Sequence, residues 1–113
     1  MTTTGQNITM WSGDDKTISV TVNDENGAAQ DITSFTASYV IAKYAGDTAI
    51  VTKTNNTGIT LTTPASGILT IVLDAADTTS LGGLYHHELE ITDTSSKVAT
   101  AFIGILTINS ESA

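Results

Sequence analysis

Short runs of β-branched and other apolar residues, alternating with polar ones, recur along this sequence and constrain its fold more than any other feature. Such residues favour strands, and a period of two indicates strands with one face in a core. The runs predict strands at residues 6–12, 16–23, 35–44, 49–54, 59–63, 68–74, 84–92 and 98–108. Charged residues are only 14% of the sequence, which is too few for long amphipathic helices.

Turn signals separate the predicted strands. Residues 24–27 (DENG) predict a hairpin turn in which Gly27 supplies the positive φ, and residues 64–67 (PASG) predict another turn. Residues 74–81 (DAADTTSL) instead predict one short helical turn, capped by Asp74 or Asp77. Strands at this regular spacing predict an all-β sandwich or barrel of about seven to eight strands. We expect residues 1–113 to form a single domain.

The alternation also predicts which side chains form the core, because residues two apart point to the same side of a strand. Five rows are expected to face one another: Ile18, Val20 and Val22; Phe35, Ala37, Tyr39 and Ile41; Leu69, Ile71 and Leu73; Tyr85, His87, Leu89 and Ile91; and Val98, Phe102 and Leu106. For Trp11, the one tryptophan, a core position is favoured, and a binding hot spot is the alternative.

Charge and the lack of cysteine exclude several classes of function. Without cysteine there is no disulfide, thiolate metal site or cysteine nucleophile. A net charge of -8, with four Lys and Arg, disfavours nucleic acid and anionic membrane surfaces. No apolar run reaches the roughly 20 residues of a membrane-spanning helix, and the polar start MTTTGQN does not look like a signal peptide. We therefore expect no nucleic-acid or membrane partner.

The pair His86 and His87, followed by Glu88 and Glu90, is the first candidate for a metal or catalytic site. On a strand the two rings point to opposite faces, His86 outward with the two glutamates and His87 inward. At most two ligands would then converge, whereas zinc takes three or four. We expect no metal and no cofactor, and we place His87 near an edge of the sandwich with a ring nitrogen hydrogen-bonded locally.

Other polar clusters form no recognisable catalytic set. Asp14, Asp15 and residues 24–27 lack the spacing of a calcium-binding EF-hand, and turn formation accounts for them. There is no G-x-S-x-G nucleophile motif and no phosphate-binding glycine loop. No catalytic residue is assigned, and we expect a protein that is not an enzyme.

Three strands are apolar on both faces, at residues 39–44, 68–73 and 98–108. Sandwich strands usually carry polar residues on the outside, and exposed apolar patches often mark partner surfaces. The predicted partner interface consists of the outward-pointing apolar side chains Val40, Tyr44, Ile68, Val72, Ile103 and Ile105. Isolated surface residues without a partner are the alternative.

Residues 13–43 resemble the opening of a phage domain found at the N-terminus of upper baseplate proteins and in small tail and virion proteins. The shared features are a Gly-Asp before the second strand, a D-x-x-G turn, and an Asp-hydrophobic-Thr step into a strand with an aromatic residue. Residues 58–108 are similar in their GIT strand, PASG turn, short capped helix, Gly-x-Tyr strand start and G-x-x-T-I end. The resemblance covers nearly the whole chain.

This resemblance implies an immunoglobulin-like antiparallel β-sandwich that works as a virion assembly module without catalytic residues. It also implies that Tyr85 forms a tyrosine corner, with its hydroxyl bonded to backbone across a loop. Baseplate proteins extend far beyond this domain, whereas this sequence stops after residues 109–113. We therefore expect a capsid decoration or cement protein that binds the major capsid protein. It would be made in the host cytoplasm and lie on the phage particle surface as a homo-oligomer or in many copies.

Three alternatives stay open. The protein could be a small tail or baseplate attachment component. It could be a carbohydrate-binding module for host glycans, with Trp11 and Tyr44 as the aromatic residues left for stacking on sugars. It could also be a metal-dependent enzyme built on His86 and Glu88.

Overall fold

A computed structural model of the chain describes residues 4–5, 7–24 and 26–109. The strands are β1 (Thr4–Gly5), β2 (Ile8–Trp11), β3 (Lys16–Thr21), β4 (Thr36–Ala42), β5 (Val51–Asn55), β6 (Gly58–Thr63), β7 (Ile68–Leu73), β8 (Gly83–Thr92) and β9 (Val98–Asn109). A 3₁₀ turn, Pro64–Ser66, precedes β7, and the short helix α1 (Ala75–Thr78) lies between β7 and β8. The all-β class and the helical turn are confirmed.

Hydrogen bonds connect the strands in the order β1-β9-β8-β4-β5-β6-β7-β3, and β2 also pairs with β9. Strand β8 is antiparallel to both of its neighbours, β4 and β9. Two residue pairs, Thr54 with Gly58 and Asn55 with Ile59, join β5 to β6 where the chain passes from one layer to the other. Strands β6, β7 and β3 thus pack over the remaining strands as a β-sandwich with one shared core.

The strand predicted at residues 6–12 is found as β2, Ile8–Trp11, while residue 6 lies outside the described residues. A second short strand, β1, precedes the predicted range, and both β1 and β2 run parallel to β9. Between them the side chain of Asn7 replaces the backbone ladder, because its Oδ1 accepts a hydrogen bond of 3.0 Å from the amide of Ile105. Strands β1 and β2 therefore cover the edge of β9 that faces away from β8.

A single hydrophobic core fills the space between the layers, as the alternation predicts. The rows on β3, β7 and β8 are buried throughout: Ile18, Val20 and Val22; Leu69, Ile71 and Leu73; Tyr85, His87, Leu89 and Ile91. On β4 the row is buried from Ala37 to Ile41, while Phe35 before it is half-buried against the core. Ile32 also belongs to the core, although its loop position gives no alternation by which to predict it.

The fifth predicted row is wrong at Val98, which is 62% exposed. Leu89 pairs with Phe102 whereas Glu90 pairs with Thr100, so Ala101 is an extra residue on β9. Such a β-bulge shifts the alternation by one residue, which moves every side chain beyond it to the opposite face. Phe102 and Leu106 are buried as predicted, but Val98 lies beyond the bulge and points to solvent.

Side-chain hydrogen bonds fix the ends of α1 and the start of β8. Asp77 Oδ2 accepts a 2.7 Å bond from the amide of Asp74, the residue before the helix, and lies 2.8 Å from Lys53 Nζ on β5. The Tyr85 hydroxyl bonds both the amide and the carbonyl of Gly82 at 3.1 Å, which confirms the tyrosine corner.

No helix in the described part of the chain has the length and apolar character to cross a membrane.

Candidate interaction surface

His87 lies in the core and not near an edge of the sandwich, so that prediction is wrong. Strand β8 is central in its layer, and position 87 is in the middle of it. The ring packs against Tyr39 and Phe102 with centroid distances of 5.7 and 5.1 Å. Its Nδ1 and the Tyr39 hydroxyl form a hydrogen bond of 2.9 Å. A ring nitrogen is bonded as predicted, but across strands to Tyr39 on β4.

The buried Tyr39 hydroxyl predicts a stability that falls at alkaline pH. Burial raises its pKa from the ordinary value of 10.0, so above about pH 10 the folded state retains a proton that the unfolded state has lost. The stabilising contribution is complete below that pH and is lost as pH rises. We expect the free energy of unfolding of Tyr39→Phe to fall less steeply with rising pH than that of the unsubstituted protein, by up to about 1.4 kcal/mol per pH unit. Urea unfolding of both proteins between about pH 9 and 11 measures this, and equal slopes would contradict it.

His86 points outward with Glu88, as predicted. Its Nε2 lies 3.3 Å from Glu88 Oε1, and both side chains are partly exposed. Within residues 4–5, 7–24 and 26–109, no group of three or more His, Cys, Asp or Glu residues could hold a metal ion. His86 and Glu88 therefore contact each other on one face of β8. Among the described residues, no third His, Cys, Asp or Glu completes a metal site with them.

Two of the acidic residues considered for calcium, Asp15 and Asp24, bond backbone amides, and residue 25 lies outside the described residues. Asp24 Oδ1 accepts from the amides of Asn26 and Ala28 at 2.9 and 3.0 Å. Asp15 Oδ1 accepts from the amide of Ala75 at 2.8 Å and so ties the loop before β3 to helix α1. These bonds organise turns and loops, which matches the interpretation given from the sequence.

Four of the six predicted interface residues lie together around the outer face, defined here as the outward-pointing side chains of β4, β8 and β9. The register places Val40, Glu88 and Ile103 in one row across the three strands. His86 and Ile105 lie in the next row. Ile103 and Ile105 are 43% and 48% exposed, and Val40 is half-buried. Apolar and ionisable side chains thus alternate across this face.

A groove of about 230 Å³ lies at one end of the outer face and is called the end groove here. Tyr44, Leu84 and Ile105 line it with exposed apolar surface, and His86 forms part of its wall. Lys43 is the cation at its rim, with Nζ 4.8 Å from the centroid of the Tyr85 ring. The end groove is an open apolar site into which a side chain of another molecule can pack.

The remaining two predicted residues, Ile68 and Val72, belong to the other layer. They lie on β7, where they pair with Thr21 and Thr17 of β3. Val72 is 37% exposed and Ile68 is half-buried among threonines. The six residues therefore form two separate sets on opposite layers, and the outer face holds the larger.

Trp11 and Leu84 are surface residues that the sequence interpretation did not place there. The assignment of Trp11 to the core is wrong, because the indole is 53% exposed while the preceding Met10 is buried. Pairing of β2 with β9 decides which of the two residues points inward, and no sequence pattern reveals that pairing. Leu84, at 60% exposure, shares the outward alternation of His86 and Glu88 on β8, so the period of two could have found it.

Comparison with known proteins bears on the fold alone. No model of a known protein family matches the chain, and no curated protein does. Among solved structures, the NK cell receptor Nkp44, described as a triggering partner in natural cytotoxicity, matches with a TM-score of 0.51. The match has 16% sequence identity and covers 95% of this chain and 100% of that chain. The fold is immunoglobulin-like. At this identity the likeness carries no function from the receptor.

Proposed function

We propose that the chain is a non-enzymatic structural protein of a bacteriophage particle that binds another virion protein through the outer face. The observation that carries the proposal is the set of exposed apolar side chains there, Tyr44, Leu84, Ile103 and Ile105. Large exposed apolar residues gathered on one sheet face favour a partner surface. The resemblance of residues 13–43 and 58–108 to a phage virion domain is the reason for assigning the protein to a phage particle. The immunoglobulin-like fold is compatible with this assignment.

Within this proposal, capsid decoration comes first and tail or baseplate attachment second. A decoration protein would bind the major capsid protein in several copies on the particle surface. The net charge of -8 suits docking onto basic patches, and such docking weakens with salt. The proposal assigns no catalytic role to the histidines, because His87 packs in the core and His86 contacts Glu88.

Substitution of Ile103 and Ile105 by threonine is expected to weaken partner binding about tenfold or more, since each change removes about 1 kcal/mol of apolar burial from an interface. The test is affinity capture from a phage-producing lysate, with the captured chains identified by mass spectrometry. The matched control is Val72→Thr, because Val72 is an exposed β-branched residue of the other layer. It should capture as well as the unsubstituted protein does.

The identity of the captured chains distinguishes the candidates. Recovery of the major capsid protein supports decoration, and recovery of tail or baseplate chains supports the second choice. Recovery of no virion protein overturns the proposal. Equal capture by the Ile103→Thr/Ile105→Thr variant would show that binding does not use the outer face.

A carbohydrate-binding function is the second candidate, and the exposure of two aromatic side chains favours it. Trp11 and Tyr44 are 53% and 66% exposed, and ring faces stack on the apolar side of sugars. The strand order places Trp11 on β2 and Tyr44 beyond the end of β4, three strand spacings or about 14 Å apart in the direction across the sheet. A glycan array probed with the protein and with Trp11→Ala tests this. A signal that disappears in the variant would support it, and no signal would exclude it.

A further inference from the structure

Glu90 is an exposed carboxylate on the outer face and makes no ion pair with another residue in the described part of the chain. Its neighbours in the sheet, Ser38 on β4 and Thr100 on β9, are uncharged. Glu88, two residues along β8, differs because it contacts His86 at 3.3 Å. The outer face therefore presents an unpaired negative charge close to the exposed Ile103.

The end groove lies on the same face, and its cation is already engaged. Lys43 Nζ lies over the Tyr85 ring and 3.5 Å from the Leu84 carbonyl oxygen. Lys97, in the hairpin between β8 and β9, makes no ion pair with Glu90 within residues 26–109. A partner that fills the groove with an apolar side chain can thus still supply a cation to Glu90, where a charge-assisted hydrogen bond would form.

We propose that the outer face binds an extended segment of a basic partner protein. The segment places an apolar side chain in the end groove and a lysine or arginine against Glu90. This inference rests on the proposed function and names the chemistry of its partner. Glu90 is four positions along β8 from His86, which lies at the groove, and this offset is about 13 Å along a strand. An extended segment spans that distance between two side chains four residues apart, and both point to the same side.

The charge of the chain favours a basic partner over a second copy. At -8, two copies repel each other at moderate ionic strength. Docking of two copies through the outer face would also bring Glu88 and Glu90 of both copies into one interface, where like charges oppose association. A basic segment gains attraction at the same positions. Binding should therefore weaken as salt is added, while the apolar contact persists.

Selection of short random peptides from a displayed library, with the full-length chain as immobilised bait, tests this inference. We expect the selected peptides to carry Lys or Arg four residues from a large apolar residue. They should bind Glu90→Gln about tenfold more weakly, because a charge-assisted contact is lost. The matched control is Asp14→Asn, an exposed carboxylate in the loop between β2 and β3, which should leave the affinity unchanged. The Ile103→Thr/Ile105→Thr variant should also bind the peptides weakly.

The outcomes separate this inference from the proposed function. Selected peptides without a basic residue, bound equally by Glu90→Gln, would overturn the charge assignment and leave the apolar docking face intact. Sedimentation of the protein alone should give a monomer. A dimer that the Ile103→Thr/Ile105→Thr variant loses would make a second copy the occupant and would overturn the inference. Selection of peptides that ignore both Glu90 and the two isoleucines would overturn it as well.

Discussion

Replacing Phe102 with alanine is expected to lower the free energy of unfolding by about 4 kcal/mol, the cost of removing a buried aromatic ring from a close-packed core. Phe102 is 1% exposed, and its ring centroid lies 6.1 Å from that of Tyr39 and 5.1 Å from that of His87. The cavity would open beside the hydrogen bond between Tyr39 and His87 and leave these side chains less tightly held. Urea unfolding followed by circular dichroism measures the loss.

The other phenylalanine provides a matched control. Phe35 packs against the same core but is only half-buried, so Phe35→Ala should cost about 1–2 kcal/mol. If Phe102→Ala unfolds too readily for a full curve, Phe102→Leu retains most of the volume and should cost about 1.5 kcal/mol. Equal losses at positions 35 and 102 would contradict the assignment of Phe102 to the centre of the core.

Replacing Gly67 with alanine is expected to cost about 3 kcal/mol, more than any other glycine substitution for which the structure gives a local reason. Gly67 has φ +76°, and a Cβ there would lie 2.6 Å from the Val22 carbonyl oxygen and 2.7 Å from that of Gln30. These groups are backbone, and Val22 also donates a 2.8 Å hydrogen bond to the Gly67 carbonyl. Since no side chain can move aside, the contact between the end of β3 and the start of β7 would have to open.

Gly46→Ala separates the steric contribution from the conformational one. Gly46 has φ +84°, but a Cβ there would meet no atom within 4 Å. Its substitution should cost about 1 kcal/mol, the penalty for an alanine at positive φ. The additional loss of unfolding free energy in Gly67→Ala, compared with Gly46→Ala, measures the cost of the close approach between the backbones. Equal thermal and urea stability of the two variants would contradict that account.

The period of two predicted the core well because one face of each strand is buried. Leu69, Ile71 and Leu73 follow it without exception, and all three are fully buried. It failed at Val98 because a bulge at Ala101 inserts one residue, and nothing in the apolar run VATAFIGILTI marks where the register shifts. Prediction from alternation therefore holds up to the first bulge of a strand and is inverted beyond it.

The candidate surface was predictable residue by residue but not as a surface. Alternation indicates that Val72 and Ile103 both point outward, yet it does not say that they lie on different layers. That depends on which strands are neighbours, and long-range pairing leaves no trace in a local pattern. The same reason explains Trp11, whose exposure follows from the parallel pairing of β2 with β9.

Site-specific photocrosslinking within assembling particles tests the central claim most directly, because it reports which face of the sandwich touches a virion protein. A photoreactive amino acid would replace Ile105 on the outer face in one variant and Val72 on the other layer in a second. The account predicts that position 105 crosslinks to a virion protein, with the major capsid protein as the first choice, and that position 72 does not. Crosslinks from position 72 alone, or from neither position, would contradict it.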